Sequence, residues 1–355
     1  MENAPLISVT MTAYNHEKYI KEAIQSVLNQ SFTDFEFIIV NDGSNDKTEE
    51  IIKTFQDNRI IYIYQENQGP SSAINNAILA AKGKYVAIMS GDDVCYINRL
   101  ERQYEYISQS NYKIIFSWID VINDDSEIIN RENSRPQKQY NCDNSSRPET
   151  LKRLFLTYTF MCAPTALAER EVLLEAGLFC LTSIQVQDLD MWFKIVKKHE
   201  LFILPEKLLK YRIRSQRKNL SLNLAYSIRN TFELYEIYKD IFDDIPINLF
   251  REAFIDLVKK SDFKDGAEYE LEKAFLYLKH RSPVIQDIAK EKLFKLLQDK
   301  EILSVAITEY GFGLSDLYNL TTDVNFLATI TDIQYSKLWK LQKQWVKLKK
   351  FLRLY

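Results

Sequence analysis

The chain reads as an α/β fold, a mostly parallel sheet flanked by helices, followed by an α-helical C-terminal region. Three observations predict it. Short apolar runs at Leu6–Met11, Phe35–Val40, Ile60–Tyr64 and Tyr85–Met89 alternate with helix-patterned segments. Each run ends in a turn of polar residues. Beyond about Leu220 the strand-like runs and glycines thin out, and long amphipathic helical patterns take over. A chain of 355 residues has room for two such units. The boundary falls between an α/β domain over 1–220 and a helical region over 221–355.

The first run, Leu-Ile-Ser-Val-Thr-Met, has the unbroken apolar character of a strand buried on both faces, and it ends at Ala13-Tyr14-Asn15-His16. In the helix expected next, Ile20, Ala23, Ile24, Val27 and Leu28 share one face, which must cover the sheet. Phe35–Val40 breaks at Asn41-Asp42-Gly43-Ser44-Asn45, and a second helix is expected with Asp46 as N-cap and Glu49 three residues on. After Ile60–Tyr64, Gln68-Gly69-Pro70 leads into a helix over Ser71–Ala81, closed by Gly83. The fourth run ends at Ser90-Gly91-Asp92-Asp93.

Further on, the pattern predicts a helix near Asn98–Gln109, a strand near Lys113–Ile119 and a mobile polar loop over Asn123–Ser146. Structure resumes at Leu151–Tyr158, with a short strand at Thr165–Leu167 and a helix ending before Gly177. Gln187-Asp188-Leu189-Asp190-Met191-Trp192 opens a helix running to about His199, followed by apolar stretches at Leu201–Leu204 and Leu209–Arg214.

Composition narrows the chemistry. With 46 Lys and Arg against 49 Asp and Glu, no overall positive field argues for nucleic acid as a partner. The four cysteines show no CxxC pair, which speaks against a zinc site and suits a reducing, cytoplasmic setting. The three histidines stand at no metal-ligand spacing, so carboxylates are expected to carry proton transfer. Neither a secretory signal nor an apolar stretch of the roughly 18–20 residues of a spanning helix is read in the sequence.

In parallel α/β sheets, ligands lie beyond the carboxyl ends of the strands. Tyr14 and Asn15, Asp42, and Asp92 with Asp93 stand there. A dinucleotide-binding dehydrogenase would need GxGxxG at the first turn, and none is present. Adjacent carboxylates suit Mg²⁺ or Mn²⁺ on a diphosphate, since both cations take hard oxygen ligands. Asp93 is accordingly assigned to the metal and Asp92 to a ribose or sugar hydroxyl, the alternative being a solvated turn.

Taken together, Ser8-Val9-Thr10-Met11-Thr12-Ala13-Tyr14-Asn15, Val40-Asn41-Asp42-Gly43-Ser44-Asn45-Asp46, Gln68-Gly69-Pro70 with Asn75, Ser90-Gly91-Asp92-Asp93 and Gln187-Asp188-Leu189-Asp190 resemble an inverting glycosyltransferase of family 2. That resemblance implies the Rossmann-like GT-A fold, with a nucleotide-sugar-binding half over 1–110 and an acceptor-side half over 111–220. It also implies a UDP-sugar donor and a divalent cation. Asp42 would accept from the uracil imide, Tyr14 would pack on the base, and Thr12 and Ala13 would lend backbone contacts. Asn15, Gln68, Asn75 and Asp92 would complete donor binding. Asp188 would be the general base that deprotonates an acceptor hydroxyl, with Asp190 the alternative. The acceptor would be a saccharide, a lipid-linked glycan or a protein.

Three departures from the family pattern stand out. Ser90 replaces a frequent aspartate, Gln187 a frequent glutamate, and Arg214 a frequent histidine. A fixed guanidinium can itself neutralise diphosphate, so weaker metal dependence is expected. A metal-dependent nucleotidyltransferase is the competing enzyme class, but Thr12-Ala13-Tyr14-Asn15-His16 is no phosphate loop. The other alternative is a catalytically silent relative, against which Asp42, Asp93 and Asp188 argue.

From Tyr335 to the end there are seven basic residues, Lys337, Lys340, Lys343, Lys347, Lys349, Lys350 and Arg353, and no acidic one. Leu338, Leu341, Trp345, Leu348 and Leu352 repeat at helical spacing. Such a basic amphipathic helix suits the inner, anionic face of a membrane. Packing on preceding helices, or pairing in a homo-oligomer, are the alternatives.

Overall fold

The computed structural model describes residues 4–129, 135–215 and 224–322. The chain divides into two compact units, Met1–Asn223 and Leu224–Tyr355.

The first unit opens with β1 (Ile7–Ala13), α1 (Ile20–Leu28), β2 (Phe35–Asp42), α2 (Thr48–Ile52), β3 (Ile60–Gln65), α3 (Pro70–Ala80) and β4 (Tyr85–Ser90). It continues with β5 (Val94–Cys95), α4 (Arg99–Ser108), β6 (Ile114–Ile122), α5 (Arg135–Tyr140), α6 (Arg147–Thr157), β7 (Leu167–Glu169), α7 (Arg170–Glu175), α8 (Gln187–Val196) and β8 (Leu201–Arg212). The strands form one sheet in the order β3-β2-β1-β4-β7-β6-β8-β5. The block β3-β2-β1-β4 is parallel throughout, as the alternating pattern predicts. β7 runs antiparallel to both β4 and β6, which makes the whole sheet mixed.

Burial explains why these runs are strands. β2 is buried at every position, and β1 at all but Thr12. The apolar face of α1, with Ile20, Ala23, Ile24 and Val27, closes over Ile7, Val9, Met11, Phe37 and Ile39. Each such side chain stabilises the fold by roughly 1.5–3 kcal/mol relative to exposure.

Several boundaries differ from the sequence reading, each for a physical reason. Helix α2 starts at Thr48, although Asp46 still accepts the Thr48 N–H at 2.9 Å. Gly83 does not close α3. It passes so near β1 that an added Cβ would lie 2.6 Å from the Ser8 nitrogen. The polar stretch read as a mobile loop contains α5, and its asparagines take the place of a strand ladder. Asn123 Oδ1 accepts from Asp125 and Glu127 at 3.0 and 2.9 Å, and the Asn141 amide pairs both ways with the Ile119 backbone. Helix α6 begins at Arg147, ahead of the expected Leu151, because Ser146 and Glu149 form a capping box. A 3₁₀ turn over Ala163–Thr165 displaces β7 to Leu167–Glu169. The two apolar stretches beyond Leu201 are one strand, β8, whose register against β6 shifts around Trp118.

The second unit contains α9 (Leu224–Asp240), α10 (Ile247–Phe254), α11 (Ala267–Tyr277), α12 (Pro283–Leu296), α13 (Lys300–Tyr310) and α14 (Leu314–Leu320). Aromatic packing holds its first part: the Phe242 ring lies 5.3 Å from Phe250, 5.5 Å from Phe254 and 5.1 Å from Tyr277. The basic segment from Tyr335 lies outside the described residues.

Candidate active site

Sheet register sets the site. Thr12 of β1 pairs with Val40 of β2 on one side and Ser90 of β4 on the other, so three strands end level. Tyr14 and Asn15, Asp42, and Asp92 with Asp93 therefore emerge side by side. The edge of β1 is stitched to the loop after β2. Asn15 adopts a left-handed φ of 53° and donates its N–H to Ser44 Oγ at 3.0 Å, while its Oδ1 accepts the Asn45 N–H at 2.8 Å. The Asn15 side chain thus shapes the rim. Ala13 is buried, Thr12 is half-buried with its carbonyl accepting the Gly91 N–H at 3.0 Å, and Tyr14 is 42% exposed.

Asp42 is only 4% exposed and carries a dense set of donors. Its Oδ1 accepts from Gln65 Nε2 at 2.7 Å and from the Gln68 N–H at 2.9 Å, and its Oδ2 accepts the Gly69 N–H at 3.0 Å. The carboxylate ties β2 to the N-terminus of α3, where main-chain N–H groups lack helical partners. Gln68 itself is exposed, its Oε1 accepting from Ser72 Oγ at 3.3 Å.

Helix α3 then reaches toward the expected base. Asn75 is buried, with Nδ2 donating to the Phe179 carbonyl at 2.8 Å and Oδ1 accepting the Phe179 N–H at 2.9 Å. Ser71 Oγ donates to the Ser183 carbonyl at 2.9 Å. Both amide atoms of Asn75 serve the loop leading into α8. The Asn75 side chain thereby holds that loop against α3.

Asp188 sits in the first turn of α8, its Oδ1 accepting the Leu189 N–H at 2.8 Å. Burial pushes its carboxyl up from 3.8 to about 6, against the pull of backbone N–H groups. Asp190, the alternative base, is paired with Lys194 at 2.7 Å.

Asp92 and Asp93 diverge as adjacent side chains in a turn should. Asp92 Oδ1 accepts from Ser90 Oγ, while Oδ2 lies 3.2 Å from Arg214 Nε and 3.9 Å from His16 Nε2. Burial alone would raise its pKa, but His16, Arg214 and the Ser90 hydroxyl outweigh burial and hold the carboxyl below the usual range. Asp93 is 2% exposed and accepts the Arg212 N–H at 2.9 Å. Burial and the neighbouring Asp92 push it well above the usual range.

Sequence reasoning missed three residues here. Arg212 is fully buried and donates to the Asp92, Asn123 and Asp124 carbonyls, to Glu22 and to Ser126, with Tyr19 stacked 4.8 Å from its guanidinium. Arg99 is buried on the other side, donating to the Ile88 carbonyl at 2.9 Å. His16 stands beside Asp92. The partners of Arg212 and the carboxylate beside His16 lie in other segments, so no local pattern marks these two. By contrast, an open hollow of about 440 Å³ lined by Lys53, Phe55, Asp57 and Tyr62 offers one carboxylate, already paired with Arg59 at 2.7 Å.

Known proteins match this chain in sequence and shape. The model of glycosyl transferase family 2 matches residues 8–176. An uncharacterized glycosyltransferase of Methanocaldococcus jannaschii is 36% identical over 224 residues, which is 61% of this chain and 74% of the relative. The O-antigen biosynthesis glycosyltransferase WbnJ of Escherichia coli is 32% identical over 243 residues, or 66% of this chain and 89% of the relative. Among solved structures, TarS 1–349 of S. aureus in complex with UDP-GlcNAc superposes with a TM-score of 0.57 at 16% identity, over 89% of each chain. The mannosyltransferase PcManGT of Pyrobaculum calidifontis, in complex with GDP-Man and Mn²⁺, gives 0.54 at 17% identity, over 95% of this chain and 89% of that one. These two likenesses concern the fold, which is the GT-A arrangement of a sheet flanked by helices. Matched by the family model over residues 8–176 and by relatives over most of their length, the chain belongs to glycosyl transferase family 2 and is a glycosyltransferase.

Proposed function

We propose that the protein is an inverting glycosyltransferase that moves a sugar from a UDP-sugar to an acceptor hydroxyl by single displacement. One observation carries this reading: Asp42 ends β2 and Asp92 with Asp93 follow β4, the two strands that flank β1, while Ser71 and Asn75 of α3 anchor the loop that leads to Asp188. In this reading Asp42 takes the uracil imide beside Tyr14, with Thr12, Ala13, Asn15 and Gln68 forming the rim. Arg214 faces the diphosphate and Asp92 a ribose or sugar hydroxyl.

Among the described residues, no group of three or more His, Cys, Asp and Glu is disposed to hold a metal. A single hard carboxylate still suits Mg²⁺ or Mn²⁺, which keep several waters and take phosphate oxygens from the substrate. Asp93, with one oxygen on the Arg212 N–H, would offer the other to such an ion. The ion would supply positive charge to the leaving diphosphate. Arg214 shares that task, which lessens the metal requirement.

Asp188, raised toward neutrality by burial, is suited to accept the acceptor's proton as its oxygen attacks opposite the diphosphate. The O-antigen name of one relative favours a saccharide or lipid-linked glycan as acceptor over a protein. Among the described residues no helix is long and apolar enough to cross a membrane. The basic segment from Tyr335 would provide a surface contact instead. Turnover of a panel of UDP- and GDP-sugars to free nucleotide tests the donor reading: release from a UDP-sugar is expected, and release confined to GDP-sugars counts against it.

A further inference from the structure

Resting on the donor reading above, we infer that His16 is a positioning residue of the donor site, setting the Asp92 carboxylate against Arg214. The His16 side chain is 10% exposed, with Nε2 3.9 Å from Asp92 Oδ2. Its backbone is locked at both ends. The N–H donates to Thr48 Oγ1 at 2.8 Å, and the carbonyl accepts the Tyr19 and Ile20 N–H groups at 2.9 Å. An imidazole on so fixed a backbone has few rotamers to escape into.

The ring is an odd choice for mere filling. Among the described residues its Nδ1 has no hydrogen-bond partner, and it lies against Gly91, where an added Cβ would come within 2.7 Å of it. A buried ring nitrogen left unpaired is unfavourable, and an apolar side chain would fill the space without that cost. What an apolar side chain lacks is a polar edge toward Asp92. Asp92 also meets Ser90 Oγ at Oδ1 and Arg214 Nε, 3.2 Å from Oδ2.

Oδ2 thus has two nitrogen-bearing groups within 4 Å, Arg214 Nε at 3.2 Å and His16 Nε2 at 3.9 Å. Without the ring, the carboxylate can rotate fully onto the guanidinium, and an incoming diphosphate must break that pair. His16 therefore acts on the donor through Asp92. The same ring, with Ile20 Cδ1 and the Thr12 carbonyl each 3.0 Å from where a Cβ would stand, keeps position 91 a glycine.

The test is a double-mutant cycle on the full chain, with calorimetric binding of UDP and GDP and with donor KM and kcat. His16→Ala is expected to weaken binding of the preferred diphosphate about tenfold and to raise donor KM by the same factor. kcat should change less than about threefold, and His16→Gln, whose amide nitrogen can take the place of Nε2, should recover most of the loss. In an Asp92→Asn background, removing His16 should alter affinity less than about threefold, because the partner it orients has changed. Unchanged affinity in His16→Ala, equal losses in the Ala and Gln variants, or additive losses with Asp92→Asn overturn the inference. Should His16→Ala fail to fold, His16→Gln with and without Asp92→Asn decides by the same criterion. A wild-type chain that binds neither diphosphate sinks the donor reading itself, an outcome separate from any behaviour of the variants.

Discussion

Replacing Asp188 by Asn keeps the shape of the side chain and its acceptor for the Leu189 N–H while deleting a charge that the fold disfavours. Burial lifts the carboxyl from 3.8 to about 6. At about 1.4 kcal/mol per pH unit this corresponds to about 3 kcal/mol, and partial exposure of the residue reduces it to about 1–2 kcal/mol. The sign follows from proton uptake. Between about pH 4 and pH 6 the folded chain binds more proton at Asp188 than the unfolded chain, so stability falls as pH rises through that window and levels off above it. Asn resembles the protonated form and escapes the penalty. Urea titrations should therefore find Asp188→Asn more stable than wild type by about 1–2 kcal/mol near pH 8, and equal to it near pH 4. Transfer should drop by about 10²–10⁴-fold in the same variant. In the wild type, kcat should be half-maximal near pH 6 and fall about tenfold per unit below, since only the carboxylate accepts a proton. A variant that is less stable near pH 8, or one that retains turnover, refutes the reasoning.

Asp42→Ala should orphan the Gln65 amide and the Gln68 and Gly69 N–H groups, lowering stability by about 2–4 kcal/mol and removing UDP affinity; Asp42→Asn, which keeps an acceptor oxygen, should fall between the two, as urea titration and calorimetry will read. Gly91→Ala should destabilise by about 1–3 kcal/mol, because its Cβ meets His16 Nδ1 at 2.7 Å and the Thr12 carbonyl at 3.0 Å, and a His16→Ala background should relieve part of that loss in thermal melts. Chelation should leave measurable diphosphate binding in the wild type and none in Arg214→Ala; binding in the wild type that vanishes with chelator and returns only with Mn²⁺ contradicts the role given to Arg214. Liposome flotation should separate the full chain from one truncated before Tyr335, with equal flotation removing the proposed surface contact.

The parallel block of the fold was legible because its strands are apolar at nearly every position and their turns are polar. The candidate carboxylates were legible for the same reason: Asp42, Asp92 and Asp93 stand where apolar runs stop. What Asp42 does locally was not, since its partners Gln68 and Gly69 come from the start of another helix. Arg212 lay inside a run read only as apolar, and its buried donors reach carbonyls of the turn after β6. His16 looked like one of three scattered histidines until β1 and β4 were paired, because only the register brings it to Asp92. The stretch over Asn123–Ser146 misled through composition: asparagine side chains there replace ladder hydrogen bonds, and polarity alone does not distinguish such order from looseness.

The most direct test of the donor assignment is a crystal structure of the full chain with a UDP-sugar and Mn²⁺. The account predicts uracil between Tyr14 and Asp42, the diphosphate between Arg214 and a cation on Asp93, and the anomeric carbon open toward Asp188. Nucleotide bound away from the ends of β1, β2 and β4, or an anomeric carbon shielded from Asp188, would contradict it.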